Sequence, residues 1–176
     1  TGTGYNVTNY TIINPVNGTS TPGRYAITTN PQLMNSTYIS GGDHTTGTGR
    51  MMVIDGSTSG FQFFWTTGSC GCPISGFTVG ETYTFSFWVK SVSNDVTSLT
   101  QSVIQPLVPV GVAASDQNPP NIIVPLPALG WQQVGFTFTA TAGSIMIRLT
   151  TQSTSTIGND FAVDDFSLIG PKPLSL

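Results

Sequence analysis

Charged side chains are scarce in this chain of 176 residues. They account for 7% of the sequence, and the net charge is −3. Charged residues usually make up roughly a quarter of a soluble domain. The polar surface of this protein must therefore consist mainly of Thr, Ser, Asn, Gln and Gly, a composition typical of extracellular proteins. The five lysines and arginines are scattered and form no basic stripe that would neutralise a phosphate backbone. We therefore expect no nucleic acid partner.

Groups that carry out catalysis are equally few. His44 is the sole histidine and Glu81 the sole glutamate. One histidine leaves little for a His-based triad, and the carboxylate pair of a glycosidase would have to come from scattered aspartates. The sequence therefore predicts that the protein is not an enzyme, and that His44 packs against or hydrogen-bonds the loop to which it belongs.

The chain has two cysteines and no long apolar run. Cys70 and Cys72 are too few for a disulfide framework or a four-ligand zinc site, which leaves open a short-loop disulfide or two free thiols. No apolar run approaches the roughly 18 to 20 residues that a membrane-spanning helix needs. No signal-peptide pattern opens the chain. We expect no membrane insertion, and any export signal to lie outside this sequence.

What the chain does have is the two-residue periodicity of β-strands. Alternating apolar and polar side chains predict strands with one buried face, and the core face of the clearest one begins with Tyr83 and Phe85. Residues 96–127 are rich in proline and are predicted to hold an edge strand and a long ordered loop. The clearest strands are Tyr83–Lys90, Trp131–Thr139, Ser144–Thr150 and Phe161–Leu168, and shorter ones are predicted at 10–13, 25–28, 51–54 and 61–65.

The arrangement of these strands predicts the fold class. The segments 51–54 and 61–65 are predicted to form a hairpin through the Asp55-Gly56 turn. Short strands separated by Gly and Pro turns, with no helical periodicity, are typical of an all-β antiparallel β-sandwich or jelly roll. At this length we expect one such domain over residues 1–176.

The segment from Asp43 to Asp55, Asp-His-Thr-Thr-Gly-Thr-Gly-Arg-Met-Met-Val-Ile-Asp, resembles the opening pattern of the MAM domain, an extracellular adhesion module. Later strands, up to the closing segment 158–168, are similar to those of that family and of jelly-roll carbohydrate-binding modules, so the resemblance covers roughly residues 41–168. Loop and closing strand are most similar to domains of secreted or surface proteins of gliding bacteria, such as adhesins. Animal MAM domains have several spaced cysteines, and their scarcity here favours a bacterial relative.

The resemblance implies a galactose-binding-like sandwich with a structural calcium ion. Three of the eight acids cluster at Asp160, Asp164 and Asp165, and calcium prefers oxygen ligands. In the similar modules the closing strand lies beside the opening loop, so Asp43 is predicted to share the ion with Asp164 or Asp165. Because adjacent strand residues face opposite sides, Asp164 is the favoured ligand. The alternative is that these acids cap turns or bind backbone amides.

An aromatic ring beside polar side chains on an exposed face is the pattern of a sugar-binding site. Trp88 lies on the non-core face of its strand together with Lys90, and Arg148 lies on the non-core face of another. If those strands are neighbours, the three residues form one patch. Trp65 and Tyr38 are alternative stacking platforms near loops. If instead the proline-rich segment covers that face, Trp88 is a packing residue.

These features together predict a non-catalytic carbohydrate-binding module of a secreted or cell-surface bacterial protein, with a polysaccharide or surface glycan as its ligand. The alternative is an adhesin or structural repeat domain that contacts neighbouring surface-protein domains. A buried Trp88 and a large apolar contact made by the proline-rich segment would indicate that alternative.

Overall fold

The fold consists almost entirely of short β-strands. A computed structural model describes residues 10–14, 18–67 and 72–171. Within these ranges, three single-turn 3₁₀ helices lie at Pro31–Leu33, Ala114–Asp116 and Pro127–Leu129, and no helix is long and apolar enough to cross a membrane. The strands are β1 (Thr11–Ile12), β2 (Arg24–Thr28), β3 (Met51–Asp55), β4 (Gln62–Thr66), β5 (Ile74–Ser75), β6 (Thr82–Ser91), β7 (Val103–Val110), β8 (Ile122–Ile123), β9 (Gln132–Thr139), β10 (Ser144–Thr151) and β11 (Phe161–Ile169).

The strands form two sheets that pack face to face. The six-stranded sheet has the order β1-β2-β3-β11-β6-β9, and the five-stranded sheet has the order β4-β10-β7-β8, with β5 pairing separately with β10. Strands β1 and β2 run parallel, whereas the other described pairs are antiparallel. The predicted antiparallel β-sandwich of the jelly-roll class is confirmed.

The core lies between the sheets and follows the predicted alternation. On β6 the side chains of Phe85, Phe87 and Val89 point inward and are buried. Strand β10 supplies Ile145 and Ile147 from the opposite sheet, and both are fully buried. Burying a large apolar side chain contributes about 1.5 to 3 kcal/mol, so these facing rows account for much of the attraction between the sheets.

A second apolar cluster covers the outer face of the six-stranded sheet. Met34 and Tyr38, from the connection between β2 and β3, pack against Ala26, Val53 and Ala162 of the sheet. Part of this sheet is therefore covered on both faces. Most of this cover comes from the segment before β3.

One prediction about strand pairing is wrong, and one is confirmed with an addition. Strands β3 and β4 do not form a hairpin, because β3 pairs with β2 and β11 while β4 pairs with β10 in the other sheet. The edge strand predicted within residues 96–127 is β8, and the same segment also contains β7, an inner strand between β10 and β8 that was not predicted. However, β8 pairs with β7 only at Val103–Ile104. Pro106 and Pro109 lie beyond that point, where a strand with one neighbour tolerates residues that lack an N–H.

Candidate functional site

The carboxylate of Asp43 organises the loop that follows β2 and precedes β3. Its oxygens accept hydrogen bonds from the backbone N–H groups of Thr46 (3.1 Å) and Gly49 (2.7 Å) and from the Thr46 hydroxyl (3.1 Å). Burial would raise the pKa of Asp43, but these hydrogen bonds outweigh it and lower the pKa. The Asp43 carboxylate therefore stabilises the conformation of this loop.

A bulge in β11 directs two adjacent acids toward the same loop. The register between β11 and β6 shifts between Asp164 and Ser167, and Asp165 has a φ of 48°. Asp164 accepts the backbone N–H of His44 (3.0 Å), and Asp165 accepts the Thr45 hydroxyl (2.5 Å) and pairs with Nδ1 of His44 (2.8 Å). The expectation that neighbouring acids face opposite ways fails here because the left-handed residue breaks the strand alternation.

The ring of His44 covers Trp88. Their ring centroids lie 3.6 Å apart with an interplanar angle of 14°, and the His44 side chain is 28% exposed. Lys90 donates to the carbonyl oxygen of Gly42 (2.9 Å), and its Nζ lies 4.5 Å from the centroid of the Trp131 ring. Burial lowers the pKa of Lys90, although the negative charges of Asp164 and Asp43 act in the opposite direction. His44, Trp88 and Lys90 thus attach the loop to the sheet, and one face of Trp88 is already occupied.

The three acids predicted to hold calcium are occupied by hydrogen-bond donors. Asp43 accepts from its own loop, Asp164 accepts the N–H groups of His44 and Asp165, and Asp165 accepts from Thr45 and His44. In the described part of the chain, no group of three or more His, Cys, Asp or Glu side chains is arranged to hold a metal ion. The calcium site therefore stays a prediction.

Arg148 does not join Trp88 and Lys90. It lies on β10 in the five-stranded sheet, whereas the other two lie on β6 in the six-stranded sheet. The predicted three-residue patch is therefore wrong, because its strands are not neighbours.

The outer face of the five-stranded sheet carries a different set of side chains. Residues directly opposite each other in antiparallel strands share a face, so Phe63, Thr150 and Gln105 form one row across β4, β10 and β7. Arg148 and Leu107 belong to the adjacent row. The guanidinium carbon of Arg148 lies 5.5 Å from the centroid of the Phe63 ring. The Nε of Arg148 is buried and has no hydrogen-bond partner among the described residues.

Tyr38 is not an exposed stacking platform, and Trp65 is only partly exposed and lines an apolar cavity of about 290 Å³. A register shift between β4 and β10 turns both Phe64 and Trp65 inward, and Trp65 stacks on Phe166 with a centroid distance of 4.5 Å. Tyr38 is only 4% exposed. The bulge and the second apolar cluster are the reasons, and neither is visible as a local sequence pattern.

A buried acidic pair was not among the predicted site residues. The side chains of Asp55 and Asp160 both face the hydroxyl of Tyr38, beside a cavity of about 200 Å³. Burial, followed by the charge of Asp55, raises the pKa of Asp160 to about 6, and burial raises that of Asp55. Burial and the two acids also raise the pKa of Tyr38. The clue in the sequence was Asp160, which lies immediately before the closing strand.

The predicted cysteine clip falls largely outside the described residues. Cys72 is exposed, and Cys70, with which it would pair, lies outside the part of the chain that the structure describes. The pairing therefore stays a prediction.

Comparison with known proteins gives structural likeness at low identity. No family model and no curated protein matches the chain. A putative sugar binding protein from Bacteroides thetaiotaomicron aligns with 92% of this chain and 94% of its own at 13% identity and a TM-score of 0.47. The CBM22-1 xylan-binding domain from Paenibacillus barcinonensis aligns with 89% and 91% at 12% identity and a TM-score of 0.45. A cyclase from Fischerella sp. TAU aligns with 80% and 72% at 13% identity and a TM-score of 0.49.

Proposed function

We propose that this domain is a carbohydrate-binding module and that it holds its glycan on the outer face of the five-stranded sheet. The observation that carries the proposal is the pairing of Arg148 with Phe63 on that face, next to Gln105. An aromatic ring supplies an apolar surface for a pyranose, and guanidinium and amide groups supply directional hydrogen bonds to hydroxyls. The sugar-binding descriptions of similar structures agree with this proposal, which rests on the chemistry of the face.

Arg148 is the residue of this face that most strongly suggests a ligand. Its Nε has no hydrogen-bond partner among the described residues although the atom is buried, and a buried donor without a partner costs about 1 to 3 kcal/mol. Because Nε is inaccessible, a sugar on this face would accept from the other N–H groups of the guanidinium. The cation also lies near the Phe63 ring, which holds the guanidinium in place.

The same proposal moves the site away from Trp88. His44 stacks on one face of that ring, so the indole is not open on both sides to a sugar. We propose further that the module works in a secreted or cell-surface protein of the polysaccharide-binding kind, since its uncharged polar composition suits that setting. Catalysis is not part of the proposal.

The test is a glycan array on the isolated domain with matched variants. Arg148→Ala is expected to reduce binding at least about tenfold, as expected for the loss of a charged hydrogen-bond group. Arg148→Lys should restore the charge but only part of the binding, because lysine lacks the planar fork. Arg50→Ala removes an exposed arginine elsewhere and serves as the control. Trp88→Phe keeps a ring beneath His44 and should leave binding unchanged.

Two outcomes would contradict the proposal. Full binding by Arg148→Ala, with loss in Trp88→Phe, would return the site to the six-stranded sheet. Absence of binding to any polysaccharide on the array would favour the adhesin or structural repeat alternative.

A further inference from the structure

Strand β9 forms one edge of the six-stranded sheet, and β6 is its only strand neighbour in the described part of the chain. In an antiparallel pair, the peptide groups of alternate residues bond to the neighbour, and those of the residues between point away. The N–H of Ala140 donates toward β6, to the carbonyl of Glu81, whereas the N–H of Thr139 donates to the Asp116 carboxylate. Odd-numbered residues of β9 therefore present their peptide groups to the open edge.

Three of these residues have peptide groups without partners. Gln133, Gly135 and Thr137 follow each other at two-residue spacing, and none of their peptide N–H or C=O groups is hydrogen-bonded within residues 10–14, 18–67 and 72–171. This row of unpaired peptide groups ends at Thr139, whose N–H donates to the Asp116 carboxylate at 2.9 Å. Such a row is a template for another extended strand.

A groove runs along the same edge. Its volume is about 420 Å³, and Gly135, Phe136 and Thr137 line it on one side. The segment 115–122 lines the other side, with Pro119 and Pro120 among its residues. The groove therefore separates segment 115–122 from β9 along Gly135–Thr137, and the backbone of β9 is accessible there.

The sequence of β9 contains none of the residues that usually prevent an edge strand from pairing with another strand. From Gln132 to Thr139 the sequence is Gln-Gln-Val-Gly-Phe-Thr-Phe-Thr, without a charge or a proline. Edge strands that avoid association usually carry lysine, proline or a bulge. Asp116 lies beside the end of β9, where its carboxylate accepts hydrogen bonds from the N–H of Thr139 and from the Ser115 hydroxyl. A second strand without charged side chains brings no like charge against it.

We propose that β9 pairs antiparallel with β9 of a second copy of this chain, around a two-fold axis at Gly135. In this register Gly135 lies opposite Gly135 of the second copy, and Gln133 lies opposite Thr137 of the second copy. These are the residues whose peptide groups point outward, so every facing pair exchanges two hydrogen bonds. The contact uses the same patch on both copies and closes as a dimer. It joins the two six-stranded sheets edge to edge.

The test is a charge exchange at the two exposed positions of this register, measured by sedimentation equilibrium. Lysine at both Gln133 and Thr137 places like charges opposite each other in both outer pairs. Dimerisation should weaken by on the order of tenfold. The combination Gln133→Lys with Thr137→Glu places opposite charges in the same pairs and should restore association. In one chain the two positions are four residues apart along a strand, so they do not pair within a monomer.

Controls separate this contact from folding and from the sugar face. Thr82→Lys with Thr84→Lys adds the same charge on β6, which is not an edge, and should leave the dimer intact. Arg148→Ala should also leave it intact. Wild-type protein that stays monomeric at millimolar concentration would overturn the proposal, as would equal loss in the Lys/Lys and Lys/Glu variants with unchanged melting temperatures.

Discussion

At the scale of single residues, burial decides which acids depart from ordinary behaviour. Asp160 lies against Asp55 and Tyr38, and its pKa is raised from 3.8 to about 6. The folded state therefore holds a proton up to about pH 6, whereas the unfolded chain releases it near pH 4. Since the folded state binds more protons in this window, the free energy of unfolding falls as pH rises through it.

The variant Asp160→Asn tests this coupling. A neutral amide keeps an oxygen for the N–H of Gly56, which Asp160 now accepts at 3.0 Å, and removes the buried charge. Relative to the wild type, the variant should gain stability as pH rises from 4.5 to 7, by roughly 3 kcal/mol at most. Urea unfolding at the two pH values measures the difference. Asp95→Asn, at an exposed acid, is the control, and parallel pH slopes for Asp160→Asn and wild type would contradict the assignment.

At the scale of elements, the bulge in β11 links a loop to a sheet. Asp165 reaches Thr45 and His44 because its backbone is left-handed. Hydrogen bonds from Thr45 and then His44 lower its pKa. This contribution to stability is therefore present above the ordinary carboxyl range and is lost as pH falls through the lowered pKa.

Removing the Asp165 carboxylate should loosen the loop without unfolding the sandwich. In Asp165→Ala we expect faster amide hydrogen exchange across residues 43–49, because the Thr45 and His44 side chains lose their acceptor. Amides of the core strand β6 should keep their protection. Asp165→Asn keeps an acceptor and tolerates the left-handed backbone, so it should show a smaller effect. Uniform acceleration in both elements would show that the bulge supports the whole sheet.

At the scale of the whole molecule, the two sheets present different surfaces. The glycan is proposed on the outer face of the five-stranded sheet, and the second copy at the edge of the six-stranded sheet. Because the surfaces belong to different layers, a dimer would carry two sugar faces, and binding to a polymer would gain from bivalency. Array binding should therefore weaken in the Lys/Lys variant on dense surfaces, while binding to a short soluble oligosaccharide should not change.

Calcium is tested on the whole domain by thermal melting with and without a chelator. A structural ion that binds only the folded state raises the melting temperature. Loss of that response in Asp43→Asn would support the ligands predicted from the sequence. Loss in Asp160→Asn would place the ion at the buried acidic pair. An unchanged melting temperature in wild-type protein with chelator would contradict a structural calcium ion.

The sequence by itself determined the strand content and the faces of the strands. Alternation in Tyr83–Lys90 and Ser144–Thr150 predicted which side chains are buried, since side-chain direction in a strand has a local period of two residues. The resemblance placed the loop of residues 43–49 beside the closing strand. These properties depend on neighbours in sequence or on a motif. The prediction that His44 packs against or hydrogen-bonds its own loop does not describe its side chain, which stacks on Trp88 and pairs with Asp165.

Only the tertiary structure decided which strands are neighbours and where the alternation breaks. Arg148 and Trp88 lie on similar strands, but the chain places those strands in different sheets. A bulge in β11 turned Asp165 toward the same loop as Asp164, a register shift packed Trp65 partly against the core, and the segment before β3 buried Tyr38. Strand pairing depends on contacts between distant segments and on the packing of whole sheets, and one inserted residue turns every later side chain to the other face. No local pattern records either effect.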